Sequence, residues 1–369
     1  MKWTSLTEWL SMEVPLIDLR EEVESTICVK DRIVVHLPFS SLLSGERSCE
    51  LPPRHKPFAI LVADDNEKED WKSFFLATVS KATQQSRKPW KVVAVIVAND
   101  ELFWSQRKGI VVTDQKVLPN GSLQQHPRLW QPDPMLPNIL WPELERRLLL
   151  LKSEGDRQNN SNSNDPIEIW DLGCGAGRDV CYLAEQIQRL LHNSTCSSSN
   201  HHLEQQHRRC QNNNTVTILG IDNHKGSAQR CEPLWKNRGV GSPWTKALNL
   251  NLNKLDLVQQ QLLLKQQHQD AAAVVVCCLY AVRFWNRKLT CYIANECTLL
   301  LPGTLFAMSH FCKPYSGAPW DFQHPKESKV LERDELATLF RDKWEILHDD
   351  LISDGDHGRQ LVQFLARKK

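Results

Sequence analysis

The sequence predicts an α/β chain whose second half folds on a mainly parallel sheet closed by an antiparallel hairpin, with a smaller α/β domain in front of it. Three observations carry this. From residue 166 onward, apolar strand-like runs alternate with helical stretches, as expected of parallel strands joined by crossover helices. One of these runs, Ile167 to Asp171, passes through a glycine-rich turn directly into a helical stretch from Val180 to Leu191. The chain ends on two strand-like segments, Trp344 to Ile352 and Gln360 to Lys368, and the SDGDHGR that joins them at 353–359 is a strong hairpin signal.

Bulk properties narrow the class. A chain of 369 residues has room for two domains with cores of their own. Its 45 basic and 44 acidic residues balance, so no charge excess points to nucleic acid or an anionic surface as partner. The opening MKWTSLTEWL lacks the apolar core of a secretory signal. Apolar runs such as Ala271 to Tyr280 are too short to span a bilayer, so no membrane partner is expected. None of the twelve cysteines forms a CxxC pair, and Cys277 and Cys278 lie in an apolar run, where they read as buried thiols. The expectation is a soluble, reduced, cytoplasmic protein.

Three polar tracts punctuate the chain: Gly155 to Asn164, His192 to Asn214 and the glutamine-rich Gln259 to Gln269. Such segments bury too little apolar surface to offset their ordering entropy. The first reads as a linker and the second as a disordered insertion at 192–214. The third stays open between loop and helix, because Leu262 to Leu264 sits between its polar ends. His201, His202, His207 and Cys210 fit no zinc spacing and read as solvated tract. The domain limits that follow are 1–110, then a Pro/Trp-rich connector, helix and polar linker at 111–165, then 166–369. Trp130, Trp141 and their neighbouring prolines suit a lid or plain connector packing equally well.

The chemistry-bearing motif is IEIWDLGCGAGRD, Ile167 to Asp179. Glycines at 173, 175 and 177 allow a tight turn and close approach of backbone to a ligand, and the following helix start offers free N–H donors. The spacing is GxGxG, whereas a dinucleotide loop reads GxGxxG. With Asp171 ahead of it, Asp171-Leu172-Gly173-Cys174-Gly175-Ala176-Gly177 resembles the DxGxGxG motif of class I S-adenosylmethionine-dependent methyltransferases, and the hairpin-terminated sheet resembles their fold. Arg178-Asp179 after the last glycine resembles the tellurite and thiopurine type, which act on small molecules. The resemblance implies that Gly173, Cys174, Gly175, Gly177 and Arg178 wrap the methionine part of S-adenosylmethionine, with Asp171 near its amino group.

Other strand ends complete the expected site. The strand Val216 to Ile221 ends at Asp222, placed to accept the two hydroxyls of a ribose. A third strand, Ala247 to Leu252, offers Asn249 or Asn251 (the second is preferred) to the adenine. A fourth runs from Ala272 to Cys278, and its exit through Cys278 and Leu279 is expected to face the transferable methyl group. Catalytic residues are not legible, since methyl transfer from a sulfonium needs alignment more than acid–base groups. No metal is expected.

The first domain carries PLIDLR at 15–20, HLPFSSL at 36–42 and FAILVA at 58–63. These resemble a rhodanese domain, in which the loop after the last of these strands begins with a nucleophilic cysteine. Here that loop reads Ala63-Asp64-Asp65-Asn66-Glu67-Lys68: there is no cysteine, and the loop is acidic where a persulfide thiolate needs positive surroundings. The expectation is an inactive rhodanese-like domain, with a protein partner as its possible use. Two functions remain: methyl transfer to a small-molecule acceptor, or a catalytically silent cofactor-binding regulator or scaffold.

Overall fold

The computed structural model describes residues 2–4, 6–21, 26–29, 32–63, 68–76, 89–98, 110–113, 128–157, 166–195, 216–266, 274–315, 317–354 and 358–369, which form two compact units, Met1–Gln131 and Pro132–Lys369.

In the first unit the elements run β1 (Lys2–Trp3), α1 (Leu6–Ser11), β2 (Leu16–Asp18), β3 (Thr26–Val29), β4 (Val34–His36), α2 (Phe39–Leu43), β5 (Phe58–Val62), α3 (Lys68–Leu76), β6 (Val92–Val97) and β7 (Ile110–Thr113). Five strands make one parallel sheet in the order β1-β6-β5-β2-β4, and β3 pairs with β7 in a separate antiparallel ribbon. The continuous apolar run of β5 follows from its central place, with both faces covered. Phe58, Ile60 and Val62 pack with Trp71 and Phe75 on one side, while Ala59 and Leu61 meet Leu6 and Trp9 on the other. At the end of β2 the Arg20 guanidinium donates to both oxygens of buried Asp18, at 2.9 and 2.7 Å.

The second unit opens on a wide helical turn, Leu136–Leu140, and continues as α4 (Trp141–Arg157), β8 (Ile167–Leu172), α5 (Arg178–Thr195), β9 (Val216–Asp222), α6 (Lys225–Asn237), β10 (Thr245–Asn249), α7 (Leu255–Gln266), β11 (Val275–Val282), α8 (Arg287–Cys291), β12 (Leu305–Phe311), α9 (Glu335–Phe340), β13 (Trp344–Asp354) and β14 (Arg359–Lys368). Seven strands form one sheet in the order β10-β9-β8-β11-β12-β14-β13. The first five run parallel, β14 is antiparallel to β12, and β13 is antiparallel to β14. This is the α/β, Rossmann-like sheet with a terminal antiparallel hairpin expected of the class I methyltransferase fold. An aromatic group of Phe306, Phe340, Trp344 and Phe364 seats the hairpin on its neighbours, with Phe306 stacked on Phe340 at 4.6 Å between ring centres.

All six residues of β8 are buried, including two acidic ones, Glu168 and Asp171. Glu168 is tolerated there because Trp170 Nε1 donates to one oxygen at 2.9 Å and Lys265 Nζ to the other at 2.5 Å. The third strand begins two residues earlier than its alternating pattern suggests. The fourth begins and ends later, because Tyr280-Ala281-Val282 extends the ladder beside β12. The glutamine-rich tract is helical as far as Gln266, with Leu262 buried and Leu263 and Leu264 outside. Positions 196–214 of the expected insertion, the acidic loop at 64–67 and 355–357 of the hairpin turn lie outside the described residues.

Candidate functional site

The order of the strands locates the crevice. From β8 the chain steps outward through β9 to β10, then returns to the opposite side of β8 as β11. The point where that direction reverses, at the carboxyl ends of β8 and β11, is where an open α/β sheet takes its ligands. The glycine loop lies there, between β8 and α5.

The loop is tied down at both ends. Gly173 and Cys174 donate their N–H groups to the Ile221 carbonyl at 2.8 and 3.0 Å. The Gly177 carbonyl accepts Trp235 Nε1 at 2.9 Å, and that of Gly175 accepts the Cys231 thiol at 3.5 Å. A Cβ at residue 173 would lie 2.6 Å from Phe284, and one at 177 would lie 2.7 Å from the sulfur of Cys231. At 175, by contrast, a Cβ would meet nothing within 4 Å, so the middle of the loop faces open space. Asp222, at the tip of β9, accepts the Gly175 N–H at 3.0 Å on one oxygen and the His224 N–H at 2.8 Å on the other.

Acidic groups gather beside the loop. Asp171, the last residue but one of β8, lies opposite Tyr280 and is 2% exposed. Burial first, then the neighbouring Cys174 and Asp179, pushes its carboxyl well above the usual range. Asp179, in the first turn of α5, is raised to about 6 by burial and by Asp133, with Arg178 and Arg283 opposing. Asp133 comes from the connector: its N–H donates to Asp179 at 3.3 Å, its Oδ2 accepts the Ser309 hydroxyl at 3.1 Å, and its Oδ1 accepts the Met135 N–H at 3.0 Å. The segment therefore joins the start of α5 to the end of β12. Arg283 leaves β11 in the left-handed region, at φ 56°, and its N–H reaches the Ser309 carbonyl at 2.7 Å. A non-glycine residue held there is a local strain of the sort found at binding sites.

Asp171, Gly173, Cys174, Gly175, Gly177, Arg178 and Asp222 thus come together at one strand edge. Asn249 ends β10 in register with Asp222, and Asn251, two residues on, accepts the Asn253 N–H at 3.0 Å. Cys278 and Leu279 need correcting as exit residues. They pair with Ile169 and Trp170 inside the sheet, at 0% and 1% exposure, and burial raises the Cys278 thiol well above its ordinary value. The exit lies at Arg283 and Phe284, because the apolar run does not stop where its cysteines do. Asp133, Arg283 and Ser309 did not stand out in the sequence, and Asp179 did so only as part of the glycine motif, with no contact assigned to it. The one available signal was an aspartate between prolines just before a helical turn, a capping pattern. Among the described residues no group of three potential metal ligands occurs, and no helix is long and apolar enough to cross a membrane.

No family model matches the chain, and no curated relative matches it. Solved structures do resemble it. The cyclase SpnF aligns over 61% of this chain and 81% of its own, at 13% identity and a TM-score of 0.37. The 1,6-didemethyltoxoflavin-N1-methyltransferase of Burkholderia thailandensis aligns over 63% and 90%, at 15% identity and a TM-score of 0.33. A SAM-dependent methyltransferase from Aquifex aeolicus aligns over 63% and 95%, at 13% identity and a TM-score of 0.33. At such identities the likeness concerns fold alone, and the site must be argued from its own residues.

Proposed function

We propose that the second unit is an S-adenosylmethionine-dependent methyltransferase acting on a small-molecule acceptor. The observation that carries this reading is the open cradle over Gly175, beside the Asp222 carboxylate that accepts its N–H. Asp222 has lone pairs left for a ribose diol after taking two backbone N–H groups. Asp179 offers negative charge to a cationic amino group and sulfonium, Asp171 offers an acceptor oxygen beside it, and Arg178 offers a partner for the methionyl carboxylate. Gly173, Cys174, Gly175 and Gly177 form the cradle, and Asn249 or Asn251 serves the adenine end. When bound, the cofactor supplies an electrophilic methyl group on sulfur. The chain's own part is to hold donor and acceptor in line, an effect worth roughly 7–11 kcal/mol in favourable cases. Asp133 and Ser309 fix the wall of the crevice beside Asp179.

The first unit enters the same proposal as a rhodanese-like domain without its sulfur-carrying cysteine. In support, the three segments that suggested it fall on β2, on β4 with α2, and on β5, and the sheet order β5-β2-β4 makes those strands neighbours. The cysteines described are free thiols, in keeping with a reducing compartment.

Calorimetric titration of the full chain tests the central claim. S-adenosylmethionine and its demethylated product should bind, NAD should not, and a labelled methyl group should pass to a small-molecule fraction of cell extract. Tight NAD binding without heat from S-adenosylmethionine would sink it.

A further inference from the structure

One residue beyond Phe284, the chain enters a second cavity, of about 290 Å³. Its wall is built from Asn253 in the turn after β10, Trp285–Lys288 at the start of α8, and Ser328 with Lys329 in the loop after β12. No role in the reading above uses it.

Its hydrogen-bonding capacity is one-sided. Asn286 is spent on structure: Oδ1 accepts the Leu289 N–H at 3.1 Å, while Nδ2 donates to the Leu252 carbonyl at 3.1 Å and to Asn253 Oδ1 at 3.0 Å. Asn253 keeps its amide N–H₂, and its Oδ1 keeps one lone pair. Of the neighbouring carboxylates, Glu335 is held by both arms of Arg287, at 2.6 and 2.9 Å, and also takes the Glu332 N–H, while Glu327, directly before Ser328, pairs with Lys313 at 2.8 Å. Trp285 is 5% exposed, yet its indole N–H has no acceptor among the described residues. A buried indole N–H ordinarily finds one. Lys288 and Lys329 line the cavity without an ion pair among the described residues. What remains to meet a ligand is two ammonium groups, an amide N–H₂ and the Ser328 hydroxyl. Each of these can donate, and no carboxylate is among the lining residues.

We propose that this cavity binds the oxyanion group, carboxylate or phosphate, of a small organic molecule. The volume lies at the small end of ligand pockets, which limits the guest to a fragment-sized body around one charged group. Charge-assisted hydrogen bonds from two lysines supply most of the affinity, and the neutral donors orient the oxygens. The claim stands apart from methyl transfer, because it concerns binding alone.

The test is titration of the full-length protein with citrate and with inorganic phosphate in low-salt buffer, without S-adenosylmethionine. At least one anion should bind saturably, and which one does so decides between carboxylate and phosphate. The double variant Lys288→Gln/Lys329→Gln should weaken that binding by about ten- to a hundredfold, by the usual worth of hydrogen bonds to charged groups. Both lysines are exposed, so its melting curve should match the parent's. Lys246→Gln, on the exposed face of β10, should change nothing. Failure of both anions to bind the parent, or equal binding by the double variant, overturns the proposal. Either result leaves the S-adenosylmethionine titration to be read on its own.

Discussion

The Asp222 carboxylate accepts the backbone N–H of Gly175 at 3.0 Å, across 47 residues of chain. The tip of β9 therefore holds the middle of the glycine loop in place as well as facing the crevice. That second task is not visible in a strand-end acid read from sequence, and it changes what a mutation does. Asp222→Ala should weaken S-adenosylmethionine binding by roughly ten- to a hundredfold, the worth of one charge-assisted acceptor. It should also lower the stability of the cofactor-free protein by about 1–3 kcal/mol, since two backbone N–H groups lose their partner. Titration and urea denaturation read the two effects separately. Asp256→Ala, in the exposed first turn of α7, is the control and should alter neither. Parental affinity in Asp222→Ala would place the ribose elsewhere.

Two glycines of the same loop should fail in different ways. Gly177 has φ +70°, and a Cβ there meets buried Cys231 and Trp235 at 2.7 and 2.9 Å. Gly177→Ala adds that overlap to left-handed strain of about 1–2 kcal/mol, and should lower the melting temperature sharply. Gly175 has φ +54° with open space where its Cβ would go. Gly175→Ala should cost only the strain, yet abolish measurable S-adenosylmethionine binding, because the added methyl occupies the cradle. A Gly175→Ala protein that still binds would show that the open space is not the cofactor's.

Much of this architecture is legible in the sequence, for identifiable reasons. β8, the glycine turn, α5 and β9 follow from local rules: apolar runs buried on two faces, glycines at positive φ, and an acid at a strand tip. The terminal hairpin was legible because its turn residues interrupt two apolar stretches. The exit of β11 was not, since Tyr280 to Val282 looks no different in composition from the turn that might have replaced it, and only pairing with β12 decides. Asp133 was hidden for another reason. It lies 46 residues from Asp179 and reaches it through tertiary packing, which local spacing does not encode. The Trp- and Pro-rich stretch suited both lid and connector, and Asp133 gives its later part a definite contact with the crevice.

The first unit should not move sulfur. Its loop at 63–68 holds no cysteine, and of the nearer thiols Cys49 is buried. The full-length protein incubated with thiosulfate and cyanide should form no thiocyanate above the uncatalysed rate. Thiocyanate formation that survives Cys49→Ser would mean that the nucleophile sits elsewhere in the chain.

The last prediction concerns Asp179, whose carboxyl burial raises to about 6 from an ordinary 3.8, with Asp133 adding to the effect. A raised value means that the folded state binds the proton more tightly than the unfolded state. The contribution to stability is then greatest below pH 3.8, declines as pH rises towards 6, and is level above that. The gap corresponds to about 3 kcal/mol of destabilisation at pH 8. Asp179→Asn stays neutral throughout and keeps an oxygen for the Asp133 N–H. It should therefore be more stable than the parent at pH 8, by up to about 3 kcal/mol, and by only about 1 kcal/mol at pH 4.5, as read by urea denaturation at each pH. A group kept charged against its surroundings is expected where a ligand needs that charge. If Asp179 offers its charge to a cationic cofactor, the same variant should bind S-adenosylmethionine several-fold more weakly at pH 8. Stabilisation with unchanged binding would make Asp179 a merely buried acid, while a gain of equal size at pH 4.5 and pH 8 would show that ionisation is not the cause.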